Sequence, residues 1–195
     1  MEKIRQNSKS KYLAAGIAAA VAISAIAFFV TNNSNPTPIT TSGLTTVPQS
    51  ATLEGLRVGN SAPDFSLTDP QKGQITKQTF AGKPLFIFFT ATYCTPCQIG
   101  AQNLAKYYDQ TGKEFNVLIV FVDPSETDSQ FVDWKNKFGR DGWYIAKGTD
   151  MAQAYQVQYL DTKYVFDKNG MVRWIDMHPL DYSTIDPVMK PLLGA

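Results

Sequence analysis

Two cysteines in the sequence are spaced for redox chemistry, because only two residues separate Cys94 from Cys97. A thiol pair at this spacing can form and break an internal disulfide by exchange with other thiols and disulfides. The chain has no further cysteine and one histidine, His178, which is too few ligands for an ordinary zinc site. A disulfide that closes so short a loop constrains the unfolded chain little, so a purely structural role is disfavoured. The pair therefore predicts a redox centre.

A predicted strand and a predicted helix flank the cysteines. Residues 84–90 are an apolar run, typical of a central strand buried on both faces, and residues 98–110 have helical spacing. The N-terminus of a helix has unpaired N–H groups and the positive end of its dipole, and both favour a thiolate at Cys94. Pro96 fits the first helical turn. Cys97 lies one turn further in, where it can attack a mixed disulfide on Cys94.

The rest of the domain alternates strands and helices, which predicts an α/β fold with helices on both faces of a sheet. The predicted strands are 64–68, 73–76, 84–90, 115–122, 143–146, 163–167 and 171–175, and the predicted helices are 98–110, 128–138, 150–155 and 183–193. The candidate core contacts of the first helix are Ile99, Leu104, Tyr107 and Tyr108. The dipeptide Asn169-Gly170 predicts a tight turn between the last two strands.

Three N-terminal segments precede the predicted domain at residues 53–195. Residues 1–12 are basic, residues 13–30 are apolar and uncharged, and residues 31–52 are rich in Thr, Asn, Ser and Pro. As a helix, the apolar run would rise about 27 Å, close to the hydrocarbon thickness of a bilayer. The positive-inside rule then predicts a cytoplasmic tail, a single-pass signal-anchor, a disordered linker and an extracytoplasmic domain at the cell membrane. A cleaved signal peptide is the alternative, because an A-x-A match ends at Ala27.

Charge and composition narrow the class of protein. Hydrophobic residues make up 44% of the chain, which suits a globular domain rather than general disorder. The formal net charge is +1, with 18 basic and 17 acidic residues, and no basic surface of the kind that binds phosphates is evident. We therefore expect no nucleic-acid partner, and we expect the soluble domain to be monomeric.

Several motifs resemble the thioredoxin superfamily, in particular its TlpA-like reductases and its redoxin (AhpC/TSA-like) domains. The segments that carry the resemblance are Gly59–Leu67, Gly82–Cys97, Tyr155–Val157 and Val165–Gly170. The resemblance implies a thioredoxin fold, which is a central mixed β-sheet flanked by helices, with an N-terminal β-hairpin and with Cys94 as the nucleophile. It also implies no cofactor beyond the Cys94–Cys97 disulfide, protein thiols or disulfides as substrates, and a membrane or extracytoplasmic redox partner.

Positions around the cysteines depart from the pattern of these relatives. Tyr93 stands where the family commonly has Trp and can serve as the same flat wall. Thr95 and Pro96 are expected to line the substrate groove or to modulate the redox centre. Phe88 replaces a buried Asp or Asn, and Gly100 replaces the Glu of TlpA-like reductases. No acid is therefore expected at either usual place for deprotonating the resolving cysteine.

The loop opposite the cysteines carries the largest departure. The family has a cis-proline there, and alignment puts Asp161 at that position, followed by Thr162. We expect both residues to lie at the substrate groove. A carboxylate close to Cys94 would oppose formation of a thiolate.

A copper-binding module is the alternative function. Sco-type copper chaperones share this fold and have Asp at a similar position, but they follow it with a histidine ligand where this chain has Thr162. Under this alternative the same two cysteines would bind copper, with Asp161 or His178 as a further ligand. A third possibility is a tethered interaction domain with a redox-inert disulfide.

Overall fold

The computed structural model describes residues 56–112 and 114–194. The strands are β1 (Ser66–Asp69), β2 (Gly73–Thr76), β3 (Leu85–Thr90), β4 (Asn116–Phe121), β5 (Tyr144–Lys147), β6 (Thr162–Phe166) and β7 (Val172–Asp176). The helices are α1 (Thr95–Gln110), α2 (Asp128–Phe138), α3 (Thr149–Ala154) and α4 (Tyr182–Leu193), with a short 3-10 helix at Lys77–Phe80.

The central sheet has five strands in the order β5-β4-β3-β6-β7. It is mixed, because β3 pairs in parallel with β4 and antiparallel with β6. Every residue of β3 is buried, which is why the sequence of this strand is apolar without interruption. A separate antiparallel hairpin, β1 and β2, precedes the sheet. The strand that leads to the cysteines is therefore the middle strand.

Two hydrophobic cores cover the two faces of the sheet. Successive side chains of a strand point to opposite faces. Phe86 and Phe88 accordingly belong to the core that contains Cys97 and the buried residues of α1, α2 and α4. Ile87 and Phe89 belong to the other core, together with the buried residues of α3 and of the N-terminal hairpin. We call the first face the α1 face, since that helix delivers Cys97 to it.

The predicted α/β sheet with helices on both faces is confirmed, and so are the hairpins β1–β2 and β6–β7. One core assignment is wrong: Ile99 is 56% exposed, whereas Leu104, Tyr107 and Tyr108 are buried. The first helix also begins at Thr95, three residues earlier than its apolar spacing indicates. Ile99 is exposed because, in the helical turn that carries the cysteines, Cys97 rather than Ile99 faces the sheet.

The predicted segments 1–12, 13–30 and 31–52 lie outside the described residues. Within the described part of the chain, none of the helices combines the length and the apolar character that crossing a membrane requires.

Candidate redox site

Cys94 lies at the junction between the central strand and α1, as the N-cap residue of the helix. Its backbone is extended, with φ −74° and ψ 95°, and its sulfur accepts a hydrogen bond from the Cys97 N–H at 3.4 Å. The two cysteines form a disulfide. Cys97 is fully buried, whereas Cys94 is half-buried. Cys94 is therefore the sulfur that a second molecule can approach.

The residues between the cysteines lie in the first turn of α1. Pro96 occupies that turn, where a missing N–H leaves no helical hydrogen bond unmade. Thr95 and Pro96 are both exposed. The predicted place of Pro96 in the first helical turn is confirmed, and a role of Thr95 and Pro96 in the substrate groove stays a prediction.

The turn that precedes Cys94 is hydrogen-bonded to the carboxylate of Glu126. Glu126 Oε1 accepts a hydrogen bond from the Thr92 N–H at 2.6 Å and another from the Thr92 hydroxyl. The Thr92 carbonyl in turn accepts a hydrogen bond of 2.7 Å from the side chain of Gln98, the residue after Cys97. Thr92 thus connects the loop after β4 to both ends of the cysteine motif.

The sequence pattern predicts no role for Glu126, so this contact was missed. Glu126 is buried, and its second oxygen, Oε2, has no hydrogen-bond partner in the part of the chain that the structure describes. A signal was nevertheless present in the sequence. The segment directly follows β4, and the carboxyl ends of adjacent parallel strands lie at the same edge of a sheet.

Tyr93 presents its ring at the surface, with 64% of the residue exposed. Its hydroxyl is hydrogen-bonded to Asp123, and this bond is the main reason that the pKa of Tyr93 is raised. The pKa of Asp123 is lowered, chiefly by hydrogen bonds from the side chain and backbone of Ser125. The side chain predicted as a flat wall therefore stands beside Cys94 with its hydroxyl anchored.

Phe88 and Gly100, which stand at the two positions of the usual acids, are neighbours on the α1 face. A Cβ on Gly100 would lie 3.0 Å from the Leu180 Cβ and 3.5 Å from the Phe88 ring. The first distance is tighter than ordinary packing, and Leu180 is also held by a 3.0 Å hydrogen bond from the Asn103 side chain to its carbonyl. The segment that carries Leu180, rather than the Phe88 ring, therefore limits the size of the residue at position 100.

Asp161 lies at the carboxyl end of β3, because its N–H donates to the Phe89 carbonyl at 3.0 Å. Its φ is +70°, in the left-handed region that few residues other than glycine, Asn and Asp adopt. The side chain is buried, and its Oδ1 accepts a hydrogen bond from Lys163 Nζ at 2.8 Å. Burial raises the pKa of Asp161, and the hydrogen bond and charge of Lys163 offset this rise only in part.

The fully buried Lys163 holds this loop to the next strand. Its ammonium also donates to the Asp161 carbonyl at 2.6 Å and to the His178 carbonyl, and it lies 3.3 Å from Asp176 Oδ2. Burial would raise the pKa of Asp176, but hydrogen bonds from His178 and the charge of Lys163 lower it below its usual value. We call Lys163, Asp161 and Asp176 the lysine cluster. It gives the Asp161 carboxylate a cation, so the expected opposition to a Cys94 thiolate is reduced.

The surroundings of Thr162 and His178, the remaining predicted residues, do not favour metal binding. Thr162 is buried at the start of β6, and its hydroxyl donates to the Tyr159 carbonyl at 2.7 Å. The His178 side chain is 87% exposed, and its Nδ1 lies 2.8 Å from Asp176 Oδ1. Across residues 56–112 and 114–194, no group of three or more His, Cys, Asp or Glu side chains is placed to hold a metal ion.

A match to a known protein family shows the family of this chain. The model of the AhpC/TSA family matches residues 58–175, from the segment before the hairpin to the last but one residue of β7. The chain belongs to the AhpC/TSA family. The match covers the cysteine pair, the turn before it, Asp161 and Lys163, and it ends one residue before Asp176.

Curated relatives of this family domain carry a named activity. The thiol-disulfide oxidoreductase ResA of Bacillus thuringiensis is 32% identical over 123 residues, which are 63% of this chain and 70% of that protein. ResA of Geobacillus kaustophilus is 31% identical over 119 residues, or 60% of this chain and 68% of that protein. With the cysteine pair at the start of α1, these matches identify the chain as a thiol-disulfide oxidoreductase whose redox group is its own pair of cysteines.

Solved structures show a thioredoxin-like fold, as predicted. A DsbE-type thiol:disulfide interchange protein from Chlorobium tepidum aligns with a TM-score of 0.59 at 21% identity, over 72% of this chain and 100% of that one. Copper-bound ScoI from Arabidopsis thaliana aligns with a TM-score of 0.59 at 19% identity, over 68% of this chain and 98% of that one. At such identities the two structures support the fold and do not distinguish redox chemistry from copper binding.

Proposed function

We propose that this chain is a membrane-tethered, extracytoplasmic enzyme that exchanges disulfides with protein substrates, with Cys94 as nucleophile and Cys97 as resolving cysteine. The observation that carries the proposal is the asymmetry of the disulfide. Cys94 caps the N-terminus of α1 and is half-buried, whereas Cys97 is fully buried. Only the Cys94 sulfur can react with a substrate, and the Cys97 sulfur can react only with Cys94.

The geometry supports a two-step exchange. In the reduced enzyme, the Cys94 thiolate is favoured by the helix N-terminus and by the Cys97 N–H directed at its sulfur. The thiolate attacks a substrate disulfide and forms a mixed disulfide. Cys97 then attacks Cys94, which restores the Cys94–Cys97 bond and releases the reduced substrate. The same steps in reverse oxidise a dithiol substrate, so the fold serves either direction of electron flow.

Exposed apolar side chains in the cysteine segment and in the loop before Asp161 suit a protein substrate. Tyr93, Ile99 and Tyr159 are each more than half exposed. Tyr93 precedes Cys94, Ile99 follows Cys97, and Tyr159 belongs to the loop that leads to Asp161. A polypeptide segment that carries a disulfide can cover these surfaces while its sulfur reaches Cys94.

The proposed location depends on the N-terminal sequence. The uncharged apolar segment at residues 13–30 follows a basic tail, which supports a signal-anchor with the enzyme outside the membrane. The expected result is that the full chain fractionates with membranes and that external protease digests its domain. Release of a shortened, soluble domain would instead support cleavage of a signal peptide.

The test of the activity is reduction of insulin disulfides by the full chain with dithiothreitol as electron donor. We expect Cys94→Ser to lower the rate to that of dithiothreitol alone. Cys97→Ser is the matched variant, and it should retain attack and accumulate a mixed disulfide visible on a non-reducing gel. Activity of Cys94→Ser equal to that of the wild type would end the proposal.

Copper binding by the same cysteines has less support. The two candidate further ligands are engaged elsewhere, Asp161 by Lys163 and His178 by Asp176. Copper titration of the reduced chain decides the matter. Stoichiometric uptake, with a charge-transfer absorption lost on mutating either cysteine, would restore the copper-binding alternative.

A further inference from the structure

The buried resolving cysteine needs a partner for its proton, and the usual acids are absent from this chain. Cys97 is fully buried, so its proton has no direct path to bulk water. Position 88 is Phe and position 100 is Gly, so neither of the usual positions supplies a carboxylate. Some other group must take the proton if Cys97 is to attack as a thiolate.

The lysine cluster lies in the same buried layer as Cys97. Lys163 pairs directly with Phe88 across β3 and β6, and side chains of a directly opposed pair share one face of a sheet. The Lys163 ammonium is 5.5 Å from the centre of the Phe88 ring. Phe88 and Cys97 belong to one hydrophobic core, and the Phe88 ring lies 3.5 Å from the point where a Cβ on Gly100 of α1 would stand. The cluster is therefore on the α1 face, at the end of the sheet where the cysteines lie.

One oxygen of this cluster is free to accept a proton. Asp161 Oδ1 is held by Lys163, but Asp161 Oδ2 is buried and has no hydrogen-bond partner among residues 56–112 and 114–194. A buried acceptor without a donor is costly, and it favours any proton that can reach it. Burial also raises the pKa of Asp161, which brings the proton affinity of its carboxylate closer to that of a thiol.

The groups that face Asp161 are few. Lys163 follows Asp161 by two residues, in β6. Asp176 and His178 approach from β7 and the segment that follows. Residues 95–102 of α1 contain no charged side chain, so Cys97 is the titratable group on the part of that helix nearest the disulfide. The electrostatic environment of Asp161 is thus one buried cation, one carboxylate and an exposed imidazole.

From this placement, and resting on the proposed function, we propose that the Asp161 carboxylate accepts the proton of the Cys97 thiol during resolution. The Cys97 S–H bond breaks, and its proton passes to Asp161 Oδ2, directly or through one water. The Cys97 thiolate attacks Cys94, the Cys94–Cys97 bond forms, and the bond from Cys94 to the substrate sulfur breaks. The two electrons of the dithiol leave on the substrate thiolate, which then takes a proton from Asp161 or from water.

Rapid mixing of the reduced full chain with Ellman's reagent separates the two steps. Attack by Cys94 releases one thionitrobenzoate in a concentration-dependent phase. Attack by Cys97 on the resulting mixed disulfide releases the second in a concentration-independent phase. Absence of a first phase that depends on Cys94 would refute the proposed function, whereas the second phase tests Asp161 alone.

The variant is Asp161→Asn, because Asn also tolerates a positive φ and keeps an oxygen for Lys163. We expect its second phase to be about 100-fold slower near neutral pH, the lower part of the range for general acid–base catalysis, and to recover at alkaline pH. The first phase should stay close to that of the wild type. The matched control is Asp176→Asn, which alters the other carboxylate on the same ammonium and should leave the second phase within about twofold.

Three results would overturn the assignment. The second phase of Asp161→Asn could keep the rate and pH profile of the wild type. Both phases could slow equally, which would indicate that Asp161 shapes the loop without handling the proton. Finally, Glu126→Gln could slow the second phase while Asp161→Asn does not, which would assign the proton to the other buried carboxylate.

Discussion

Two buried carboxylates flank the redox centre, and they are held in opposite ways. Glu126 binds the Thr92 N–H and hydroxyl in the turn before Cys94, and no ion pair to it forms among the residues that the structure describes. Asp161 is paired with the buried ammonium of Lys163, which is itself fixed to β7 and the following segment. Each carboxylate has one oxygen without a partner.

The difference separates positioning from proton chemistry. Glu126 is bonded to the turn that carries Cys94, so its contacts set where the nucleophile lies. Asp161 is bonded to β3 and to Lys163 in β6, so its position does not depend on the turn that carries Cys94. A group that exchanges a proton with the dithiol benefits from a fixed position and a cation nearby, and Asp161 has both.

The largest effect should come from removing the cation of the lysine cluster. Lys163→Met keeps much of the side-chain volume but leaves Asp161 buried without a charge partner. We expect a loss of about 3–5 kcal/mol in the free energy of unfolding, the usual cost of breaking a buried ion pair from one side. Urea unfolding of the oxidised chain measures it. The double variant with Asp161→Asn should recover part of the loss, and a loss in Lys163→Met as small as that of a surface pair would contradict the assignment.

An intermediate effect is expected at Glu126. Glu126→Ala leaves the Thr92 N–H and hydroxyl without their acceptor, which should cost about 1–3 kcal/mol of stability. The substitution should also speed hydrogen exchange at the Thr92 amide, because the Thr92 N–H loses its hydrogen-bond acceptor. Glu126→Gln keeps an oxygen for the same donors and is the matched control. If Gln proved as damaging as Ala, the carboxylate charge, rather than the hydrogen bonds, would hold the turn.

The smallest effects are opposite pH dependences within the lysine cluster. The pKa of Asp161 is raised, so the folded chain binds the Asp161 proton more tightly than the unfolded chain does. The stability that this proton contributes is lost as pH rises from about 4 through the raised pKa. The pKa of Asp176 is lowered, so its contribution is present above about pH 4 and is lost as pH falls. Relative to Asp161→Asn the wild type should gain stability on acidification, and relative to Asp176→Asn it should lose stability. Unfolding free energies measured between pH 3 and pH 7 give both slopes, and slopes of the same sign would contradict this account.

Local sequence signals sufficed for the redox motif. The apolar run, the cysteine spacing and Pro96 all lie within a few residues of one another, so the strand, the turn and the helix start could be predicted from their neighbours. Even there, Ile99 was misassigned, because helical spacing defines a face without saying which face meets the sheet. The position of Cys97 decides that, and its burial depends on tertiary packing.

The two carboxylates could not be placed from local patterns. Glu126 and Thr92 are 34 residues apart in the chain, and only the parallel pairing of β3 and β4 brings them together. Lys163 lies in a strand whose neighbours are buried, where a charged side chain is ordinarily disfavoured. Its burial is possible because Asp161, Asp176 and the His178 carbonyl converge on it from two segments.

The packing of Leu180 against Gly100 also constrains how this enzyme can be altered. A Cβ at position 100 would lie 3.0 Å from the Leu180 Cβ, so a glutamate there, the acid of TlpA-like reductases, requires the Leu180 segment to shift. The hydrogen bond from Asn103 to the Leu180 carbonyl opposes that shift. Positions 100 and 180 are therefore expected to be epistatic, and routes between this active site and the usual one pass through a double change.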